Sequence, residues 1–239
     1  MTAIFGYFNN EKVFMAADRR RSGGGVKEIT KSPKYSHIIN NLYIASAGSE
    51  MDITRDNLIK EINNEELSTL KDIISLVRKN YQCDFKKLCE TIEERNEERK
   101  KFQEEPERQP EVQLIIFGID EEECTFIYTL DSADNFNEIN KEKKNTVFGT
   151  GTYDILIEGR AKQWFNVLIN NNYINTAEWT YRTILDISTN ELAKDTVDFP
   201  ADYIIIEKEG KKEGLYNILC KHEEFAPVTF DSSFNLKIS

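Results

Sequence analysis

The chain has 239 residues, 39% of them hydrophobic and 31% charged, which is enough for one large domain with a sizeable core. Forty-two acids against 31 bases give a formal net charge of −11. With no long basic run, that balance makes the chain a poor candidate for nucleic-acid binding through phosphate neutralisation. No apolar run approaches the ~20 residues of a membrane-spanning helix, and the start, MTAIFGYFNNEKVF, has no basic segment leading into an apolar one, so neither membrane nor secretory leader is expected.

Residues 2–8 and Lys12–Asp18 read as two strands, with Asn9-Asn10-Glu11 as the hairpin turn between them. A glycine-rich loop, 19–25, leads to two further strands, 34–39 and 42–47, separated by Asn40-Asn41. Ser49 is placed as a helix N-cap with Asp52 three residues on. From 50 to about 101 apolar residues recur at helical spacing (Leu58, Ile59, Ile62, then Leu70, Ile73, Ile74, Val77), and Asn63-Asn64 divides the stretch into two helices. Residues 90–108 are almost wholly charged. They read as a solvated helix end and loop, with a partner-docking arm as the alternative, and Pro106 and Pro110 end the segment.

Strands resume at 112–118, 124–130 and 146–148, the last closing on a Gly149-Thr150-Gly151 turn. Helices follow at 153–169 and 176–194, then strands at 203–207 and 215–220 joined by Glu209-Gly210. Hairpin-linked strands with helices in pairs predict an α+β fold and not alternating βαβ units. The expected architecture is a four-layer αββα sandwich, two antiparallel sheets between helix pairs, formed as one domain over 1–239.

The chemistry is constrained by what is scarce. There is no GxSxG elbow, no phosphate loop of the GxxxxGK[ST] kind and no HExxH. The four cysteines, Cys83, Cys89, Cys124 and Cys220, have no CxxC spacing, and His37 and His222 are far apart. No metal site and no cofactor are therefore expected, and the thiols suit a reducing, cytoplasmic setting. A nucleophile that needs no histidine is an N-terminal Thr, Ser or Cys whose own α-amine is the base. The amine's pKa, near ~7.7–8.0, suits work at neutral pH. Residue 2 is Thr, exposed as the first residue if Met1 is removed. Asp18 closes the second strand, Lys34 follows the glycine loop, and Gly48 stands at a strand-to-helix turn, where an amide can stabilise an oxyanion. Each alone has a plainer reading: a turn aspartate, a solvated lysine, a turn glycine.

In this order Thr2, Ala17-Asp18-Arg19-Arg20, Lys34 and Ala47-Gly48-Ser49-Glu50-Met51-Asp52 resemble the proteasome β-type N-terminal nucleophile hydrolases, which include the peptidase subunit of the bacterial two-component ATP-dependent protease and the ancestral bacterial β-subunit relatives. The match is gap-free over about the first fifty residues and looser beyond. The resemblance implies Thr2 as nucleophile, Asp18 and Lys34 as the polarising pair and the Gly48 amide as oxyanion donor. It implies Thr150 in the place of the family's serine near the nucleophile. Asp195 stands for a supporting aspartate, with Asp198 where the family has a serine. The Arg21-Ser22 backbone would align an extended peptide, and Arg21, Ser46 and Glu50 would give the pocket a polar character. The function so implied is a threonine peptidase acting on peptide or unfolded-protein substrates. It would sit in a homo-oligomeric ring, with an ATP-driven unfoldase as a possible partner. The alternatives are an inactive structural or assembly subunit of the same fold, and an amidase acting on a small molecule.

Overall fold

A computed structural model describes residues 2–23, 26–29, 34–151, 153–169, 175–199, 201–208, 216–218, 229–230 and 236–237, of which 21–23, 26–29 and the last three stretches are described as backbone. In chain order the elements are β1 (Ala3–Phe8), β2 (Lys12–Asp18), β3 (Arg20–Gly23), β4 (Val26–Ile29), β5 (Tyr35–Ile39), β6 (Leu42–Gly48), α1 (Asp52–Asn64), α2 (Leu70–Lys101), β7 (Val112–Ile119), β8 (Thr125–Asp131), β9 (Asn140–Lys141), β10 (Val147–Gly151), α3 (Asp154–Leu168), α4 (Thr176–Ser188), β11 (Ala201–Glu207), β12 (Tyr216–Ile218), β13 (Thr229–Phe230) and β14 (Leu236–Lys237). The fold is mixed α+β, with two five-stranded antiparallel sheets and four α-helices among the described residues. The chain divides into two compact units, Met1–Lys34 with Lys144–Ser239, and Tyr35–Lys143.

In the first unit the sheet order is β10-β1-β2-β11-β12. The opening hairpin closes because Asn9 Oδ1 accepts the Glu11 and Lys12 amides, both at 2.9 Å, an Asx turn that spares the backbone a bulge. One sheet face (Ala3, Phe5, Phe14, Ala16, Ala201, Tyr203) packs with Ile157, Ala161 and Phe165 of α3 and Trp179, Ile184 and Ile187 of α4. Trp179 is the centre of this core. It is fully buried, its ring lies 4.7 Å from Phe14 and 5.2 Å from Phe165, and its Nε1 donates to the Ala161 carbonyl at 2.9 Å. The alternate residues Ile4, Val13, Met15, Ala17, Ile204 and Ile206 are also buried. This sheet therefore has two apolar faces, as period-2 alternation without polar positions requires.

The second unit has sheet order β5-β6-β7-β8-β9. Its face bearing Leu42, Ile44, Leu114, Ile116 and Phe126 packs on Leu58 and Ile62 of α1 and Ile73, Val77 and Tyr81 of α2. Here too the alternate residues, Tyr43, Ala45, Ile115, Phe117 and Ile127, are buried. The predicted break at Asn63-Asn64 falls at the end of α1. α2 restarts with Thr69 as its cap, the Thr69 hydroxyl accepting the Asp72 amide at 3.2 Å. Past Tyr81, α2 fully buries only Ile92. The charged segment is thus a solvated helix end, and the returning chain is tied to it. Asn96 exchanges two hydrogen bonds with the Glu107 backbone, at 3.1 and 2.6 Å, and Arg95 and Arg99 reach the Glu107 carboxylate at 3.4 and 3.3 Å.

Four expectations are corrected. Within the expected 19–25 loop, Arg20–Gly23 is instead strand β3, paired antiparallel with β4. Ser49 is not a helix cap, because it still belongs to the ladder: its amide donates to Glu111 O at 2.7 Å and its Oγ accepts from Glu111 N at 3.2 Å. α1 then starts at Asp52 without a side-chain cap. Gly149-Thr150-Gly151 is not a turn but the end of β10, paired with β1. The last helix stops at Ser188, short of 194, and turns follow it. Met1, residues 30–33, Glu209-Gly210, Leu215, Cys220 and His222 lie outside the described residues.

Tyr81 is fully buried, its hydroxyl has no hydrogen-bond partner, and burial pushes that hydroxyl's pKa up. Its value is its ring, which meets Phe136 edge-on at 6.0 Å. Tyr81→Phe is therefore expected to leave stability unchanged or to raise it by about 1 kcal/mol, whereas Tyr81→Ala loses about 3–5 kcal/mol, both measured by urea unfolding.

Candidate active site

Thr2 is buried although it lies at the start of the chain, where a chain usually frays unless tied down. Two ties hold it. The Ala3 amide donates to Asp18 Oδ1 at 2.8 Å. On the other side, the Thr2 carbonyl lies against Gly151, where a Cβ would come within 1.8 Å of that oxygen. Gly151 also has φ +141°, a region that side-chain-bearing residues rarely adopt. The Thr2–Ala3 peptide is thus gripped at its N–H and at its C=O.

Asp18, at the end of β2, is the hub. The sheet register pairs it with Ala201 and, one step beyond Ile4↔Ala17, brings it beside Ala3. Its Oδ1 also accepts from Lys34 Nζ at 2.7 Å, and its Oδ2 from the Arg20 amide at 3.2 Å. Lys34 Nζ donates in addition to the Arg20 carbonyl at 2.6 Å. Asp18 has no exposure and Lys34 only 7%. Burial pushes the Asp18 carboxyl above the ordinary aspartate pKa, while the Lys34 ammonium and the two amide donors pull against it. Neither the turn-aspartate nor the solvated-lysine reading fits residues so buried and so connected.

The two arginines after Asp18, to which the sequence assigned no role, complete the corner. Arg19 is buried and forms a bidentate pair with Asp202 of β11, Nη2 to Oδ1 at 2.6 Å and Nε to Oδ2. Arg20 Nη1 meets Asp198 at 3.0 Å and the Lys194 carbonyl at 3.3 Å. Three consecutive residues, Asp18, Arg19 and Arg20, therefore each carry an ion pair. The run DRR was a sequence signal for this, but partners 178 and 183 positions away are set only by the β2–β11 register.

Thr150 is the ladder partner of Ile4. It stands two residues along from Thr2 and on the same side of the pleat. Its hydroxyl donates to Asp154 Oδ1 at 3.3 Å, and the same oxygen takes the Gly151 amide at 2.6 Å, which binds β10 to the first turn of α3. Asp195 is exposed, in the turns after α4; Asp198, not Asp195, carries the pair to Arg20. Arg21 and Ser22 lie in β3, paired with Glu28 and Lys27. Among the described residues the other edge of β3 has no strand partner. An open cavity of about 800 Å³, lined by Tyr153, Ile155, Leu156 and Leu192, shares Asp154 with this corner, but Thr2, Asp18 and Lys34 do not line it.

Gly48, Ser46 and Glu50 belong to the second unit. Gly48 ends β6 with φ +99°, and a Cβ there would meet the Glu111 carbonyl at 2.0 Å. The Val112 amide, opposite Gly48, donates away from it to Ser132 Oγ at 2.9 Å. Gly48 and Val112 are thus a non-hydrogen-bonded pair, and the Gly48 N–H points away from β7. Ser46 is half-buried in β6 and Glu50 is exposed. His37 Nε2 donates to the Asn40 carbonyl at 2.7 Å, within the β5–β6 hairpin. Among the described residues no three His, Cys, Asp or Glu side chains converge as metal ligands, and no helix is long and apolar enough to cross a membrane.

In comparison with known proteins, no family model matches the chain and no curated protein is significantly similar to it.

Lys34→Met strips the ammonium from a buried carboxyl. The Asp18 pKa, already raised, then rises further. A carboxyl with a raised folded-state pKa contributes stability below its unfolded value and loses it as pH climbs through the folded one. Lys34→Met is therefore expected to cost about 3–5 kcal/mol at pH 7 and markedly less near pH 4, read from urea midpoints at the two pH values. A loss independent of pH would contradict the pairing.

Proposed function

We propose that the chain is an N-terminal nucleophile hydrolase, a threonine peptidase of the proteasome β type, acting through Thr2 once Met1 is removed. The observation that carries the reading is the buried Lys34–Asp18–Ala3 chain of hydrogen bonds beside Thr2, the second residue of the chain. A cation and a carboxylate are costly to bury together, and the corner adjoins Thr2, whose hydroxyl, with the α-amine that removal of Met1 would free, can serve as nucleophile and base.

In this reading the Thr2 α-amine takes the Thr2 hydroxyl proton, and the oxygen attacks the peptide carbonyl. The amine returns the proton to the leaving amine, giving an ester at Thr2. A water then gives up a proton to the same amine, attacks the ester and releases the acid. The Lys34 ammonium stabilises the developing alkoxide and favours the neutral amine. The resemblance assigns the oxyanion to the Gly48 amide of the second unit, which does not serve the β6–β7 ladder. The edge of β3 at Arg21 and Ser22, which has no strand partner among the described residues, suits alignment of an extended substrate by strand addition.

The finer architecture belongs to the same reading. Each sheet has helices on one face and buried apolar residues on both, and the four-layer αββα arrangement itself is carried by the resemblance. Ring assembly, an unfoldase partner and a cytoplasmic setting are carried by the resemblance alone.

The test is intact mass of the purified protein together with cleavage of fluorogenic peptides by the wild type and by Thr2→Ala. The expected outcome is a mass lacking Met1 and a loss of at least ~10³-fold in kcat for Thr2→Ala. Retained Met1 with equal cleavage by both proteins would end the proposal and leave the structural-subunit alternative.

A further inference from the structure

We infer that Arg19 and Asp202 are positioning residues, a clamp that fixes two acceptors of the Lys34 ammonium, the Asp18 carboxylate and the Arg20 carbonyl, relative to each other. The inference rests on the reading of Thr2, Asp18 and Lys34 as a hydrolytic set, and it concerns two residues outside that set.

Lys34 Nζ is held between the Asp18 carboxylate, at 2.7 Å, and the Arg20 carbonyl, at 2.6 Å. Arg19 is the residue between them. Here the chain leaves the five-stranded sheet at the end of β2 and enters the two-stranded β3–β4 hairpin. A corner between two sheets has no ladder of its own to hold it. The Arg19 guanidinium supplies the anchor by forking onto Asp202, whose backbone is the β11 partner of Ala17. A bidentate fork fixes direction as well as distance, which a single-point ammonium cannot do. Both partners are buried, Arg19 at 8% and Asp202 at 1% exposure, so water competes little for the pair. On the far side, Asp198 and the Lys194 carbonyl hold the Arg20 side chain. The corner is therefore restrained through both arginines, while its backbone and the adjacent carboxylate hold the lysine. Loosening the fork lets the Arg20 carbonyl and the Asp18 carboxylate drift apart, and the ammonium can then no longer serve both.

A buried ion pair can also serve folding alone, so the test needs a readout that folding does not move. Two variants are compared with wild type. Arg19→Met with Asp202→Leu removes both charges together and keeps the volume apolar; Arg19→Lys keeps the charge but cannot span both carboxylate oxygens. The first measurement is a ¹³C NMR titration of the Asp18 carboxyl, assigned by its absence in Asp18→Asn. The second is kcat and KM for a fluorogenic peptide.

The expected result is an upward shift of the Asp18 titration by one pH unit or more in the paired variant, with kcat at least tenfold lower and KM within twofold. Arg19→Lys should give a smaller shift in the same directions. An Asp18 titration unchanged in whichever variant folds would overturn the inference, even if the melting temperature falls. If the paired variant does not fold, Arg19→Lys decides. If wild type cleaves no peptide, the proposed function fails by itself, and the Asp18 titration still decides whether the clamp holds the lysine.

Discussion

A carboxylate with no exposure to water governs this molecule's candidate site. Asp18 receives the Lys34 ammonium, the Ala3 amide and the Arg20 amide. Each donor comes from a different part of the chain: the first strand, the corner after the second, and the approach to the fifth. Burial alone drives such a group toward neutrality, and only the donors hold the balance. Removing one donor therefore changes more than one contact. It alters the protonation of the hub, and with it the grip on the first strand and on the lysine.

The sheet explains how a terminus becomes part of so tight a site. β1 is not an edge strand but is flanked by β10 and β2. Its first residues are consequently fixed by register on both sides, Ala3 against Gly151 and Ile4 against both Thr150 and Ala17. The glycine at 151 is what lets β10 approach the Thr2 carbonyl. α3 secures that strand in turn, since Asp154 takes the Gly151 amide. Packing of Trp179 against Phe5, Phe14 and Phe165 supports the same strands from the helical face.

Much of this was legible in the residues. The alternating aromatic and aliphatic runs of β1 and β2 and the Asn9 turn gave the opening hairpin, and 3.6-residue periodicity with the Asn63-Asn64 break gave α1 and α2. Asp18 and Lys34 stood out by order and spacing. The errors came where a local signal met a non-local partner. Ser49 has cap chemistry, but the ladder to Glu111 outcompetes the helix for it. Gly149 to Gly151 look like a turn, yet glycine is what permits close strand approach there. RRRSGGG looks like a loop, yet most of it pairs as a hairpin. Arg19 and Asp202 carried no periodic or spacing signal at all, since only the β2–β11 register brings positions 183 apart together. The −11 charge has no counterpart in the site itself. Part of it lies on the solvated end of α2, where Arg95, Arg99 and Glu107 compensate locally.

Covalent capture tests the proposed activation of Thr2 by the buried Asp18–Lys34 pair. An α′,β′-epoxyketone closes a ring only with a nucleophilic hydroxyl and a free amine on the same residue. The expected result is that peptide mapping by mass spectrometry finds such an adduct bridging the oxygen and nitrogen of Thr2 in the wild type, and that Asp18→Asn abolishes it. No adduct on a protein whose first residue is Thr2, or equal labelling of Asp18→Asn, would contradict it.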